Sequence, residues 1–304
     1  MAQKKIQLKY ENVSSPGTYD DLFPVTKEEL VMDEEGKTMS QKFSEQKQQI
    51  DGVIAQLADI ATLANTINTS KDVKYVAHRG LSAIAPENTI PAYELAGKAG
   101  FWGAETDIMP TSDGQWVLMH DDTVDRTTNG TGTVASMTLD QIRALVIDGG
   151  NNVTRHPNLK VPTLDEFFVV CKKWGMTPLI EIKRTNNLGD YDTLVQQIKK
   201  HGYEESCIVL APFFTTAQEI RYRSSKIIIH LLGDITETNI DRVKSLKNAS
   251  LDTYAPTLTK EKVELAHSNG VLVNCWTVDD HQRAKTLIGY GVDFITTNII
   301  AEVI

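Results

Sequence analysis

"VKYVAHRGLSAIAPENTIPAYELA", residues 73–96, runs from an apolar stretch into two cations and then into a helical pattern. Val73, Tyr75, Val76 and Ala77 read as a strand, Gly80 follows the His78-Arg79 pair, and the helix starts after Pro86. The same order of short apolar strand, loop and amphipathic helix repeats down the chain. Strands are expected at 73–77, 103–108, 178–182, 207–211, 226–232, 251–255, 271–276 and 293–297. Helices are expected at 88–99, 163–174, 190–201, 215–224, 237–247, 259–269 and 279–289. Eight strands alternating with helices predict a TIM (β/α)8 barrel over residues 71–304. A doubly wound open sheet is the alternative, but no GxGxxG follows the first strand. One excursion, 109–162, interrupts the alternation: "TSDGQW" reads as a hairpin turn leading into the strand "WVLMH".

Residues 1–70 have a different character, an extended segment followed by a helical run poor in Gly and Pro. Placing Phe43, Ile50, Leu57 and Ala64 at heptad position a puts Met39, Gln46, Val53, Ile60 and Ile67 at d. A single amphipathic helix lying on the barrel would also be apolar on one side. A 3.5-residue repeat sustained this long favours a coiled coil, and β-branched residues at both a and d favour three strands. The expected organisation is an oligomerisation arm, 1–70, followed by a catalytic domain, 71–304.

Among 304 residues, 31 are basic and 40 acidic, a net charge of −9 that argues against nucleic acid as a partner. Any anion site is therefore local. Three scattered cysteines, Cys171, Cys207 and Cys275, form no CxxC pair and suggest neither disulfides nor a zinc site. The N-terminus has no apolar run after its lysines, so no signal peptide is expected, and no stretch approaches the ~20 apolar residues of a membrane span. These features predict a protein that is cytoplasmic when made.

In a barrel of this kind the chemistry sits at the C-terminal ends of the strands. Those ends carry His78-Arg79, Glu105-Thr106-Asp107, Glu181-Ile182-Lys183, Pro212, His230, Tyr254, Trp276 and Thr296-Thr297-Asn298. Side chains two apart on a strand share a face, so Glu105 points with Asp107 and Glu181 with Lys183. Three carboxylates at one mouth repel one another unless a cation neutralises them. Oxygen donors select a hard ion, Mg2+ or Ca2+, over zinc. His120 ends the inserted hairpin, next to a loop carrying Arg126. Two histidines suit general acid and base roles because imidazole titrates near neutral pH. Arg79 and Lys183 suit charge-assisted hydrogen bonds to phosphate oxygens. The anion that the opening pair faces is thus expected to be a phosphate. His156, His201, His267 and His281 stand in polar helix or loop contexts and read as structural, whereas His230, ending "IIIH", is a candidate for substrate contact.

His78-Arg79-Gly80, "PENT" at 86–89, "ETD" at 105–107, "HD" at 120–121, "DRTTNGTG" at 125–132 and "EIK" at 181–183 resemble the glycerophosphodiester phosphodiesterase family, in family order over roughly 73–298. The resemblance implies a TIM barrel that uses a divalent cation to hydrolyse a glycerophosphodiester to glycerol phosphate and an alcohol. It implies that His78 and His120 are the acid/base pair and that Glu105, Asp107 and Glu181 are the metal ligands. Arg79 and Lys183 would bind phosphate, Glu87 would support the metal shell or His78, and Trp276 would shape the substrate mouth. Leu81 departs from the smaller residue that often follows HRG, which predicts a narrower pocket edge.

The arm, "IQLKYENV" through "YDDLFPVTKEELVMDEEGKTMSQ", is similar to attachment segments of tail and baseplate proteins from phages of Gram-positive bacteria. That similarity implies a homotrimer associated with a virion tail, acting at the cell surface on glycerol-phosphate wall teichoic acid. Two other readings compete: a phospholipase D-like enzyme that cyclises lipids, and a barrel that grips a wall polymer without cutting it. Two titratable imidazoles beside three carboxylates count against a pure binding module.

Overall fold

The computed structural model describes residues 73–299. The coiled-coil arm and the extended segment expected over 1–70 lie outside the described residues.

Eight parallel strands form the barrel: β1 (Lys74–Ala77), β2 (Gly103–Pro110), β4 (Thr177–Ile182), β5 (Ile208–Ala211), β6 (Ile228–Leu232), β7 (Ala249–Tyr254), β8 (Val273–Trp276) and β9 (Phe294–Thr297). The sheet closes because β1 pairs with both β2 and β9, in register Val76↔Gly103 and Val76↔Thr296. Closure leaves no exposed barrel edge. The helices α1 (Ile90–Lys98), α3 (Leu164–Trp174), α4 (Gly189–Lys200), α5 (Phe214–Arg223), α6 (Glu237–Leu246), α7 (Lys260–Ser268) and α8 (His281–Tyr290) fall between the strands as the alternation predicts. Their starts are written in the sequence. Thr89, Thr163, Thr236 and Thr259 each accept a backbone N–H of the first turn through the side-chain oxygen. Glu166 completes a capping box on Thr163.

Strand periodicity sorts the core into two layers. On β2, Ala104 and Ile108 pack outward against the helices, with Ile180 and Ile182 of β4, Tyr93 of α1 and Phe167 of α3. Inside the barrel, Val76, Leu179, Ile208, Leu210 and Phe294 fill a separate cluster. Glu105 pairs with Leu179 and Asp107 with Glu181 in the β2–β4 ladder. The carboxylates therefore stand directly above an apolar plug.

The excursion between β2 and α3 carries β3 (Trp116–Leu118), antiparallel to β2, and a short helix, α2 (Leu139–Ala144). It has its own small core, including Met109, Val117, Met119, Val124, Ile142 and Val161. That core anchors the segment holding His120. The strand was expected, but α2 was not. Its signal is the capping box Thr138–Gln141, two reciprocal hydrogen bonds that start a helix too short to show periodicity.

Gly80 needs to be glycine on two counts. Its φ is +81°, and a Cβ would meet Ala92 at 2.7 Å. This approach lets the loop after β1 lie against α1. Leu81, expected at the pocket edge, is instead buried in the outer core under the same helix.

Candidate active site

The loop after β1 makes a left-handed turn in which Arg79 itself has φ +56°. The turn aims the Arg79 backbone N–H at Glu105 Oε2, 2.8 Å away. The Arg79 side chain runs to the other carboxylates: its Nε lies 3.0 Å from Asp107 Oδ2, and Nη1 donates to Glu87 Oε1 at 3.0 Å. Lys183 Nζ lies 2.8 Å from Glu181 Oε1 and 3.7 Å from Asp107 Oδ1.

Glu105, Asp107 and Glu181 each offer an oxygen within 4.8 Å of the other two. Glu105 and Asp107 are 2% and 1% exposed, yet Glu105 Oε1 and Asp107 Oδ1 have no hydrogen-bond donor. A buried carboxylate oxygen left bare costs free energy unless something else meets it. Burial, and then the charges of Asp107 and Glu181, push the Glu105 carboxyl well above its ordinary range. Burial and Asp107 also raise the Glu181 carboxyl above its ordinary value. Hard oxygen donors, bare and convergent, fit a divalent cation.

Asn88 holds the middle carboxylate. It donates from Nδ2 to Asp107 Oδ2 at 2.9 Å, while its Oδ1 accepts from Tyr93 Oη at 3.0 Å, Thr106 Oγ1 at 3.0 Å and the Asp107 backbone N–H at 3.2 Å. All of these partners are buried, which fixes the Asp107 rotamer.

Both histidines line the same cavity, and each has its Nδ1 engaged. His78 Nδ1 lies 2.8 Å from Asn298 Oδ1 at the end of β9. His120 Nδ1 lies 2.7 Å from Asp121 Oδ1. Asp121 is gripped by Arg126, Nε to Oδ2 at 2.6 Å, and Arg126 also binds Glu87 through Nη1 and Nη2 at 3.0 and 2.8 Å. Glu87 thus joins Arg79 to Arg126 and, through Asp121, to His120, rather than supporting His78 directly. Burial and the neighbouring Arg79 charge lower the His78 pKa below its ordinary value.

A cavity of about 120 Å³ is lined by His78, Arg79, Glu105, His120, Glu181 and Lys183, together with Asp252 and Trp276. Asp107 sits just behind, bridged to this wall by Arg79 and Lys183. Every catalytic, phosphate-binding and metal-ligating candidate from the sequence therefore converges here. Trp276 also reaches the cavity and packs against Tyr254 at 5.5 Å between ring centres.

His230 does not reach it. β6 continues two residues past it to Leu232, so the ring sits mid-strand inside the barrel, edge-on to Phe294 at 5.2 Å. Burial and the charge of Lys74 lower its pKa to about 3. Neither ring nitrogen has a hydrogen-bond partner. Leu232, two residues on and on the same face, lines the cavity instead.

Residues 78–302 match the glycerophosphoryl diester phosphodiesterase family. The chain belongs to this family. A glycerophosphodiester phosphodiesterase of Caldanaerobacter subterraneus is 34% identical over 229 residues, spanning 73% of this chain and 93% of the relative. Among solved structures, an Oleispira antarctica phosphodiesterase in complex with the product sn-glycerol-3-phosphate is 25% identical with a TM-score of 0.69, covering 75% of this chain and 94% of that one. A Parabacteroides distasonis glycerophosphodiester phosphodiesterase is 26% identical with a TM-score of 0.65, covering 75% and 94%. Within the family frame, Asn88, Asp121, Arg126 and Asn298 are the site residues whose roles sequence reasoning did not assign. All four were in plain view: Asn88 lies inside "PENT", Asp121 directly follows His120, Arg126 lies in "DRTTNGTG" and Asn298 at the last strand end.

Proposed function

We propose that the protein is a divalent-cation-dependent glycerophosphodiester phosphodiesterase, releasing glycerol phosphate and an alcohol. The observation that carries the reading is the cavity in which His78 and His120 share one space with Arg79, Lys183 and the carboxylate cluster. Glu105, Asp107 and Glu181 would hold the cation, Mg2+ or Ca2+, which when bound supplies positive charge to the phosphodiester. Arg79 and Lys183 face the non-bridging oxygens and orient the phosphorus. One imidazole takes a proton from the attacking water as its oxygen bonds to phosphorus. The other gives a proton to the alcohol oxygen as the second P–O bond breaks. Trp276, backed by Tyr254, shapes the part of the cavity wall past which the alcohol would leave.

Choline release from glycerophosphocholine tests the reading. Turnover should vanish in EDTA and return with added Mg2+ or Ca2+; full turnover in EDTA would remove the cation from the mechanism. Phosphorus NMR of the product separates the competitors. A phosphomonoester supports hydrolysis, a cyclic phosphate points to the lipid-cyclising chemistry, and an unchanged diester to a binding module.

For the natural substrate we favour glycerol-phosphate wall teichoic acid, cut by a trimeric enzyme carried on a phage or prophage tail. The support is the heptad seam and attachment-like sequence of residues 1–70. Light scattering on the full-length protein should give three times the chain mass of 33.8 kDa. A full-length monomer would rule the coiled coil out.

A further inference from the structure

His78 is held from the side opposite the cavity by a short chain of groups whose directions are forced. The Asp279 carboxylate accepts the Asn298 backbone N–H at 2.8 Å on Oδ1 and the Asn298 side-chain Nδ2 at 2.7 Å on Oδ2. Thr297 Oγ1 lies 3.0 Å from the same Oδ1 and also meets the Ile299 carbonyl, so its single proton is shared between the two. An ionised carboxylate only accepts, so the Asn298 amide must turn its NH2 towards Asp279 and its oxygen towards His78. That oxygen lies 2.8 Å from His78 Nδ1 and 2.8 Å from Ser82 Oγ. An amide oxygen only accepts as well, so Nδ1 must carry the proton. A flipped Asn298 would be tolerated by His78 and Ser82, which can exchange donor and acceptor roles. It would set the amide oxygen against the Asp279 carboxylate, losing a charge-assisted hydrogen bond and adding repulsion. Asp279 is therefore what decides the tautomer of a ring it does not touch.

We propose that Asp279 and Asn298 are positioning residues that hold His78 as its Nδ1–H tautomer and leave Nε2 free for proton transfer in the cavity. The proposal rests on the reading of His78 as an acid/base residue, and goes beyond it by naming the nitrogen and the groups that select it. The chain parallels the way carboxylates orient imidazoles elsewhere, with an amide inserted between the two.

Nitrogen NMR of the histidine-labelled full-length protein, with His78 assigned from a His78→Gln spectrum, reads the tautomer without any turnover. The wild type should show a protonated Nδ1 and a bare Nε2. Asn298→Leu should lose that preference and lower kcat by about 10–100-fold with KM nearly unchanged. Asn298→Asp alone places two carboxylates face to face and should fall similarly. The reversed pair, Asp279→Asn with Asn298→Asp, can remake every hydrogen bond, with donor and acceptor exchanged only between the two side chains, and should recover the Nδ1–H tautomer and most of the activity. A wild-type ring protonated on Nε2 would overturn the proposal, whatever the substrate proves to be. So would a reversed pair no better than Asn298→Asp, a comparison that stands even if Asn298→Leu does not fold. A protein that shows the Nδ1–H ring but hydrolyses no glycerophosphodiester would overturn the functional reading and keep the relay.

Discussion

Glu105→Gln should cripple turnover and, in the absence of a divalent cation, raise the melting temperature. The two effects share one cause. Glu105 is buried beside Asp107 and Glu181, and burial with those two charges raises its carboxyl pKa well above the usual value of 4.5. A group whose folded pKa is raised gives its full stability below the unfolded pKa, and that stability drains away as pH climbs through the folded value. At neutral pH the cluster is therefore held together against repulsion. Gln has the shape of the protonated acid, can still accept the Arg79 backbone N–H, and never ionises. Its advantage should be seen at pH 7 in EDTA and fade towards pH 4, where the wild-type Glu105 carboxyl is protonated too. Activity should fall by about 10³-fold, since a lost ligand charge weakens an electrostatic contribution worth several kcal/mol. Thermal unfolding with and without Mg2+ or Ca2+ checks both halves. The wild type should gain more from the ion than the variant, and equal gains would remove Glu105 from the ligand set.

The second large effect concerns the imidazoles. His78→Ala or His120→Ala should each lower kcat by about 10²–10⁴-fold with the fold intact. If the two act in one concerted transfer, the double variant should lie only slightly below the worse single one. The pH–rate profile of the wild type should be bell-shaped. Because burial and Arg79 depress the His78 pKa, a limb that reports His78 should lie below the ordinary imidazole value of 6.5. A His120→Ala enzyme with near-normal kcat would leave that residue without a chemical role.

The parts of this site that could be read in the sequence are those set by local periodicity. Alternation along β2 and β4 puts Glu105, Asp107 and Glu181 on the inner face, and strand ends mark where chemistry gathers. The hydrogen-bond partners were harder to read because each is fixed by a tertiary contact. Asn88 reaches Asp107 across 19 residues and Asn298 reaches His78 across 220. No spacing rule links such pairs. His230 shows the converse error: the strand expected over 226–232 does end at Leu232, but reading "IIIH" as its end lifts a core residue two positions below the mouth into the pocket. Depth inside a barrel depends on where each strand stops, and apolar runs blur that boundary.

The pairing of β1 with β9 has a consequence for how the enzyme comes into being. Synthesis delivers His78 before Asn298, so the ring waits for its holder until β9, the last strand of the barrel, has left the ribosome. A nascent or truncated chain lacking β9 would have open edges on β1 and β8 and a His78 with no partner on Nδ1. Such a product is inert as a catalyst and prone to pair with its own kind. Closure of the barrel is thereby read out as activity, and a protease that clips β9 should silence the enzyme without touching His78 or His120.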